Sequence, residues 1–216
     1  MAEIKFSCDP VDMGTELYLR NSVDIQPGIT CLVGANGSGK TTFLRIIKER
    51  AKRDKTITVI GYSDVLDGRQ TAMDRYMHSG KMEDLGRAWM SSEGENIINN
   101  FGSFVGTMGL NLRLNDKMEK PKELWILLDG LDSGLSIDRV IEVRNFIEWF
   151  ANEEVPKAEG TEVYILMAVN AFEMCRGLRC LDVRNMDYVE FNDYEEYKKF
   201  VLESGEALKK RDGRED

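Results

Sequence analysis

The chain has 216 residues, 42% hydrophobic and 31% charged, with a formal net charge of −9 at pH 7. That composition belongs to a globular protein of one sizeable domain, with too little length for two full ones. It excludes a helical membrane span, since no run approaches ~18 apolar residues, and it disfavours free-standing nucleic-acid binding, which draws its affinity from a basic stripe.

In chain order, Ala2 to Ser7 and Glu16 to Arg20 read as short strands, followed by a Pro27-Gly28 turn. Ile29-Thr30-Cys31-Leu32-Val33 is an apolar, β-branched run of the buried parallel-strand kind. Glycines interrupt it at Gly34, and from Thr41 to Lys52 the spacing of Phe43, Leu44, Ile46 and Ile47 predicts an amphipathic helix. Its charged run, Lys48-Glu49-Arg50-Ala51-Lys52-Arg53-Asp54, reads as a solvated face, leaving a basic patch assembled in a dimer as the remaining route to nucleic acid. Thr56 to Ile60 predicts another strand, and 62–91, irregular and Met-containing, a small lid-like insertion. Met73, Met77, Met82 and Met90 with Tyr76 and Trp89 serve either as core or as an adaptable partner surface.

Glu93 to Leu114 predicts a helix containing several glycines. Leu124-Trp125-Ile126-Leu127-Leu128 is the clearest buried strand, Ile137 to Phe150 an amphipathic helix, and Val163 to Val169 a further buried strand. Short strands are expected at Cys180 to Arg184 and Tyr188 to Phe191. Asp193, with Glu196 at the capping-box position, opens a terminal helix over 193–211, followed by a frayed tail, 212–216. The alternation of strand and helix predicts one α/β domain over 1–211 with a largely parallel sheet, preceded by a short antiparallel portion. Cys8, Cys31, Cys175 and Cys180 are scattered and His78 is the single histidine, so reduced, buried thiols are expected rather than a zinc site. The opening Met1 to Phe6 lacks the layout of a signal peptide, and the cytoplasm is the expected compartment.

The chemistry concentrates in Gly34-Ala35-Asn36-Gly37-Ser38-Gly39-Lys40-Thr41, lying between a buried strand and an amphipathic helix. Glycines at this spacing let backbone N–H groups turn inward as an anion nest, and the helix points its positive end at the same place. Lys40 is then expected to reach the β- and γ-phosphates of ATP. Thr41 would offer its hydroxyl to Mg2+, and Asn36, Gly37, Ser38, Gly39 and Thr42 would complete the contacts. Asp129, at the carboxyl end of the strand Leu124 to Leu128, is the expected carboxylate on the Mg2+ side.

Over Ile29 to Asn170 the chain resembles the ABC-type P-loop ATPases, in particular the soluble chromosome-maintenance and recombination-repair branch. The resemblance rests on the loop, on Asp129-Gly130-Leu131-Asp132-Ser133-Gly134-Leu135-Ser136, similar to that family's strand end and D-loop, and on Ser91-Ser92-Glu93-Gly94-Glu95, similar to its signature motif. It implies a homodimer with ATP between the subunits, in which Ser92 and Gly94 of one subunit cap the γ-phosphate held by the other. It also implies an adenine-stacking aromatic ahead of the loop, with Tyr18 as candidate, and a γ-phosphate-linking glutamine, with Gln70 as candidate.

Two family positions differ. The usual catalytic glutamate is Gly130, which has no side chain to orient water, and the usual switch histidine is Asn170. Asp132 is the candidate substitute. Losing a water-positioning group removes ~10²–10⁴ in rate, so slow or partner-dependent hydrolysis is expected, with a strand end that accepts a glutamate at 130. The resulting expectation is an ATP-controlled dimer switch, possible in a phage or bacterial DNA-transaction or defence system and acting with an unidentified protein partner. The alternatives are a non-hydrolysing subunit of a larger assembly and, disfavoured by the short insertion, a transporter motor.

Overall fold

A computed structural model of the chain describes residues 1–5, 17–63, 121–154 and 160–211. Strand β1 (Ala2–Lys5) pairs antiparallel with β2 (Ser22–Ile25), placing Ala2 beside Ile25 and Ile4 beside Val23. All four side chains are buried, as a period of two requires of a ribbon lying on a core. The antiparallel portion expected at the start is therefore present, but its second strand is Ser22–Ile25 and not Glu16 to Arg20. The alternation of Val23 and Ile25 matches Ala2 and Ile4, whereas Tyr18 is drawn into contact with a loop described below.

The remaining strands are β3 (Gly28–Val33), β4 (Ile57–Ser63), β5 (Glu123–Asp129), β6 (Glu162–Ala168), β7 (Cys180–Asp182) and β8 (Asp187–Val189). They form one sheet in the order β4-β5-β6-β3-β7-β8, parallel except for the β7–β8 pair. Tyr62 and Ser63, expected to open the insertion, belong to β4. The rest of 62–91, and the helix expected at Glu93 to Leu114, lie outside the described residues.

Four helices accompany the sheet among the described residues: α1 (Lys40–Arg53), α2 (Ile137–Trp149), α3 (Phe172–Cys175) and α4 (Tyr194–Arg211). A π turn, Phe150–Glu154, continues α2. Alternate strand residues divide the core into two layers. Leu32, Trp125, Leu127, Tyr164 and Leu166 pack with Phe43, Leu44 and Ile47 of α1 and with the β1–β2 ribbon. Val33, Leu124, Ile126, Leu128, Ile165 and Met167 face Val140, Val143 and Ile147 of α2, and α3 and α4 lie on that same side. Both faces of the central strands are covered, which is why they read as unbroken apolar runs. Cys31, Cys175 and Cys180 are buried, free thiols, as expected of them; Cys8 lies outside the described residues.

The connections fix where a site can form. From β3 the chain crosses by α1 to β4 at one edge, while from the neighbouring β6 it turns by α3 to β7 on the far side of β3. Adjacent strands whose connections leave in opposite directions open a crevice at their carboxyl ends. The loops after β3, β5 and β6 meet there.

Candidate functional site

The loop 34–39 joins β3 to α1, and its shape depends on glycine. Gly34, Gly37 and Gly39 have positive φ of 139°, 83° and 99°, a region that side chains disfavour. Two of them also lack room for a methyl: a Cβ on Gly34 would stand 2.7 Å from Ser38 Oγ, and one on Gly39 would stand 2.9 Å from both Leu17 and Tyr18. Gly39 is the N-cap of α1. It supplies no side-chain cap, and the first turn holds no acidic residue. The first-turn N–H groups and the helix dipole at this end are left to favour an anion.

Lys40 turns back into the loop. Its Nζ donates to the carbonyls of Gly34 at 2.7 Å and Ala35 at 3.3 Å, and the residue is 8% exposed. It makes no ion pair among the described residues. Burial pulls its ammonium below the ordinary lysine value, opposed by the carboxylates of Asp132 and then Asp129. A buried cation bonded to carbonyls, with carboxylates near it but none in an ion pair with it among the described residues, gains from an anion that completes its surroundings. Ser38 adds to the same demand, since its buried hydroxyl has no hydrogen-bond partner among the described residues. Asn36, Gly37 and Thr41 are exposed and Thr42 is half-buried at the rim.

Asp129 ends β5, in register with Ser63 of β4 and Ala168 of β6, and is half-buried at the crevice. The backbone then turns through Gly130, whose φ is 76°. A glutamate there would be forced into left-handed backbone, so the expectation that this strand end readily accepts one does not hold.

Asp132 is buried, and its carboxylate accepts hydrogen bonds from the backbone N–H groups of Asn170 and Ala171 and from Asn170 Nδ2. Asp132, the water-orienting candidate from sequence, braces the loop after β5 against the loop after β6. Asn170 is the other end of that brace. Tyr18, the candidate for adenine stacking, is 3% exposed; its hydroxyl donates to Gly39 O at 2.9 Å and its ring meets Phe43 edge-on. A stacking platform needs an open face, and this ring lacks one. Tyr18 supports the loop from below. Gln70, Ser92 and Gly94 lie outside the described residues.

Two contributors escaped the sequence reading. Ser204 Oγ of α4 accepts the N–H of Ala35 at 3.2 Å, and Tyr197 of the same helix donates its hydroxyl to Asn170 O at 2.8 Å. The signal for the first was Ser204-Gly205 inside a helix, where both residues lower propensity and a glycine usually marks a close approach. A Cβ on Gly205 would lie 3.7 Å from that of Ala35. No protein-family model matches the chain, and no curated protein matches it.

Proposed function

We propose that the chain is a nucleotide-binding protein of the P-loop type, which takes ATP with Mg2+ at the loop Gly34 to Thr41. One observation carries this reading: the Lys40 ammonium is buried inside a glycine loop, donating to two carbonyls, and makes no ion pair among the described residues. A polyphosphate supplies a direct anionic partner, and the uncapped start of α1 with the Ser38 hydroxyl, unpartnered among the described residues, supplies further donors for it. Among the described residues no group of three or more His, Cys, Asp or Glu could hold a metal. A magnesium ion brought by phosphates needs no such group, because it keeps most of its waters and takes one or two protein oxygens. Thr41 and Asp129 are those oxygens in this reading. The bound Mg2+ would offset phosphate charge.

Hydrolysis is slow in this proposal. Gly130 carries no side chain, and the Asp132 oxygens are committed to Asn170 and Ala171. The bound state, not the turnover, then carries the function: an ATP-controlled homodimer in which Ser92 and Gly94 cap the nucleotide of the opposite subunit, as the ABC-type resemblance implies. Calorimetric titration of ATP with Mg2+ tests the first step. The parent should bind and Lys40→Ala should not, with unchanged circular dichroism. A folded Lys40→Ala protein that binds ATP like the parent would remove the foundation.

A further inference from the structure

Helix α4 touches both loops that flank the crevice. Tyr197 donates to the carbonyl of Asn170, after β6, and Ser204 accepts from the N–H of Ala35, after β3. The two residues lie two helical turns apart on one face of α4, about 10 Å along its axis, so a single rigid element fixes two loops relative to each other.

The anchoring of α4 is firm at one end. Tyr197 is buried, its ring centroid 5.7 Å from that of Phe172 and 5.2 Å from that of Phe191. Asp193 Oδ1 accepts the Glu196 N–H at 2.9 Å and Glu196 Oε2 accepts the Asn192 N–H at 2.8 Å, which ties down the first turn. The contact with the loop is lighter, consisting of the Ser204 hydroxyl, half-buried, and the close approach of Gly205 to Ala35.

We propose that α4 is a clamp on the phosphate loop, with Ser204 and Tyr197 as positioning residues that hold the loop in its ligand-accepting shape. This rests on the nucleotide reading above. A loop already held in its bound shape gives up less conformational freedom on binding. By linkage, a ligand whose affinity depends on the clamp must in turn secure the clamp. Occupancy of the crevice is thereby transmitted to the surface of α4, where Leu202 and Tyr194 are exposed.

The test uses the full chain and ATP with Mg2+, measuring affinity by calorimetry and amide exchange of peptides covering 194–211. In the parent, nucleotide should slow exchange across α4. Ser204→Ala should weaken ATP binding by roughly 2–10-fold, the worth of one neutral hydrogen bond, and should lose the nucleotide-dependent slowing, with ligand-free exchange of α4 no slower than in the parent. Ser204→Thr, which retains the hydroxyl, should restore both, and Tyr197→Phe should reduce the slowing from the other anchor. If the parent binds ATP and Lys40→Ala does not, but Ser204→Ala binds and protects α4 as the parent does, the clamp is refuted and the nucleotide site stands. If the parent binds no ATP, or Lys40→Ala binds equally well, the nucleotide reading fails and the clamp with it.

Discussion

The carboxylate of Asp132 is clasped by Asn170: the asparagine's backbone N–H and its side-chain amide both donate to it, and the N–H of Ala171 adds a further bond. The loop after β5 is thus fastened to the loop after β6 at the mouth of the crevice. Asp132 is 8% exposed, so water competes little for these bonds.

Asp132→Ala should therefore act first on stability. Removing a buried charged acceptor and stranding its donors costs about 2–4 kcal/mol, and a domain of this size loses roughly 2–4 °C of melting temperature per kcal/mol. Asp132→Asn, which keeps one acceptor oxygen, should lose less. A variant that melts like the parent but has lost ATP turnover would make Asp132 a water-orienting group after all.

Gly130→Glu tests the cost of left-handed backbone. At a φ of 76° a side chain costs about 1–2 kcal/mol, and relieving that strain pulls the new carboxylate away from the position it would need. Hydrolysis should rise far less than the ~10²–10⁴ of a well-placed group, and thermal stability should fall. A hundredfold rise with unchanged melting would show that the strand end relaxes to accommodate glutamate.

Lys40 should make nucleotide binding pH-dependent. Its pKa in the free protein is lowered by burial, and a bound polyphosphate raises it again. Above the free value, binding therefore takes up a proton, and affinity should decline as pH climbs through that value. Titrations in two buffers of different ionisation enthalpy, at neutral and alkaline pH, measure the uptake directly. No uptake at alkaline pH would mean that the anion does not meet Lys40. For folding without ligand the sign is opposite. The unfolded chain holds the extra proton between the lowered value and the ordinary 10.5, so the stability contributed by Lys40 increases with pH across that window.

Ser92→Arg tests the dimer independently of the crevice. ATP affinity of the isolated subunit should be retained, while light scattering with ATP and Mg2+ should find a monomer where the parent gives a dimer. A mutant that dimerises like the parent would leave Ser92 as a helix cap.

The sequence by itself determined the parallel sheet and the position of the crevice loop. Runs such as Leu124 to Leu128 are apolar at every position because both faces are covered, and the glycines at 34, 37 and 39 announce a backbone that side chains cannot follow. Local pattern carries that information, so one strand or one loop suffices to read it. It determined less where two segments distant in the chain compete for the same residue. Whether Asp132 faces water or Asn170, whether Tyr18 stacks on a ligand or supports Gly39, and whether Ser204 reaches Ala35 all depend on which partner the fold brings within hydrogen-bond range. Those partners are set by the pairing of β3 beside β6, with connections that diverge, and by the contacts of α4 with the loops after both strands. A hydrogen bond worth about 1 kcal/mol acts over less than a side chain's length, so only the tertiary structure decided them.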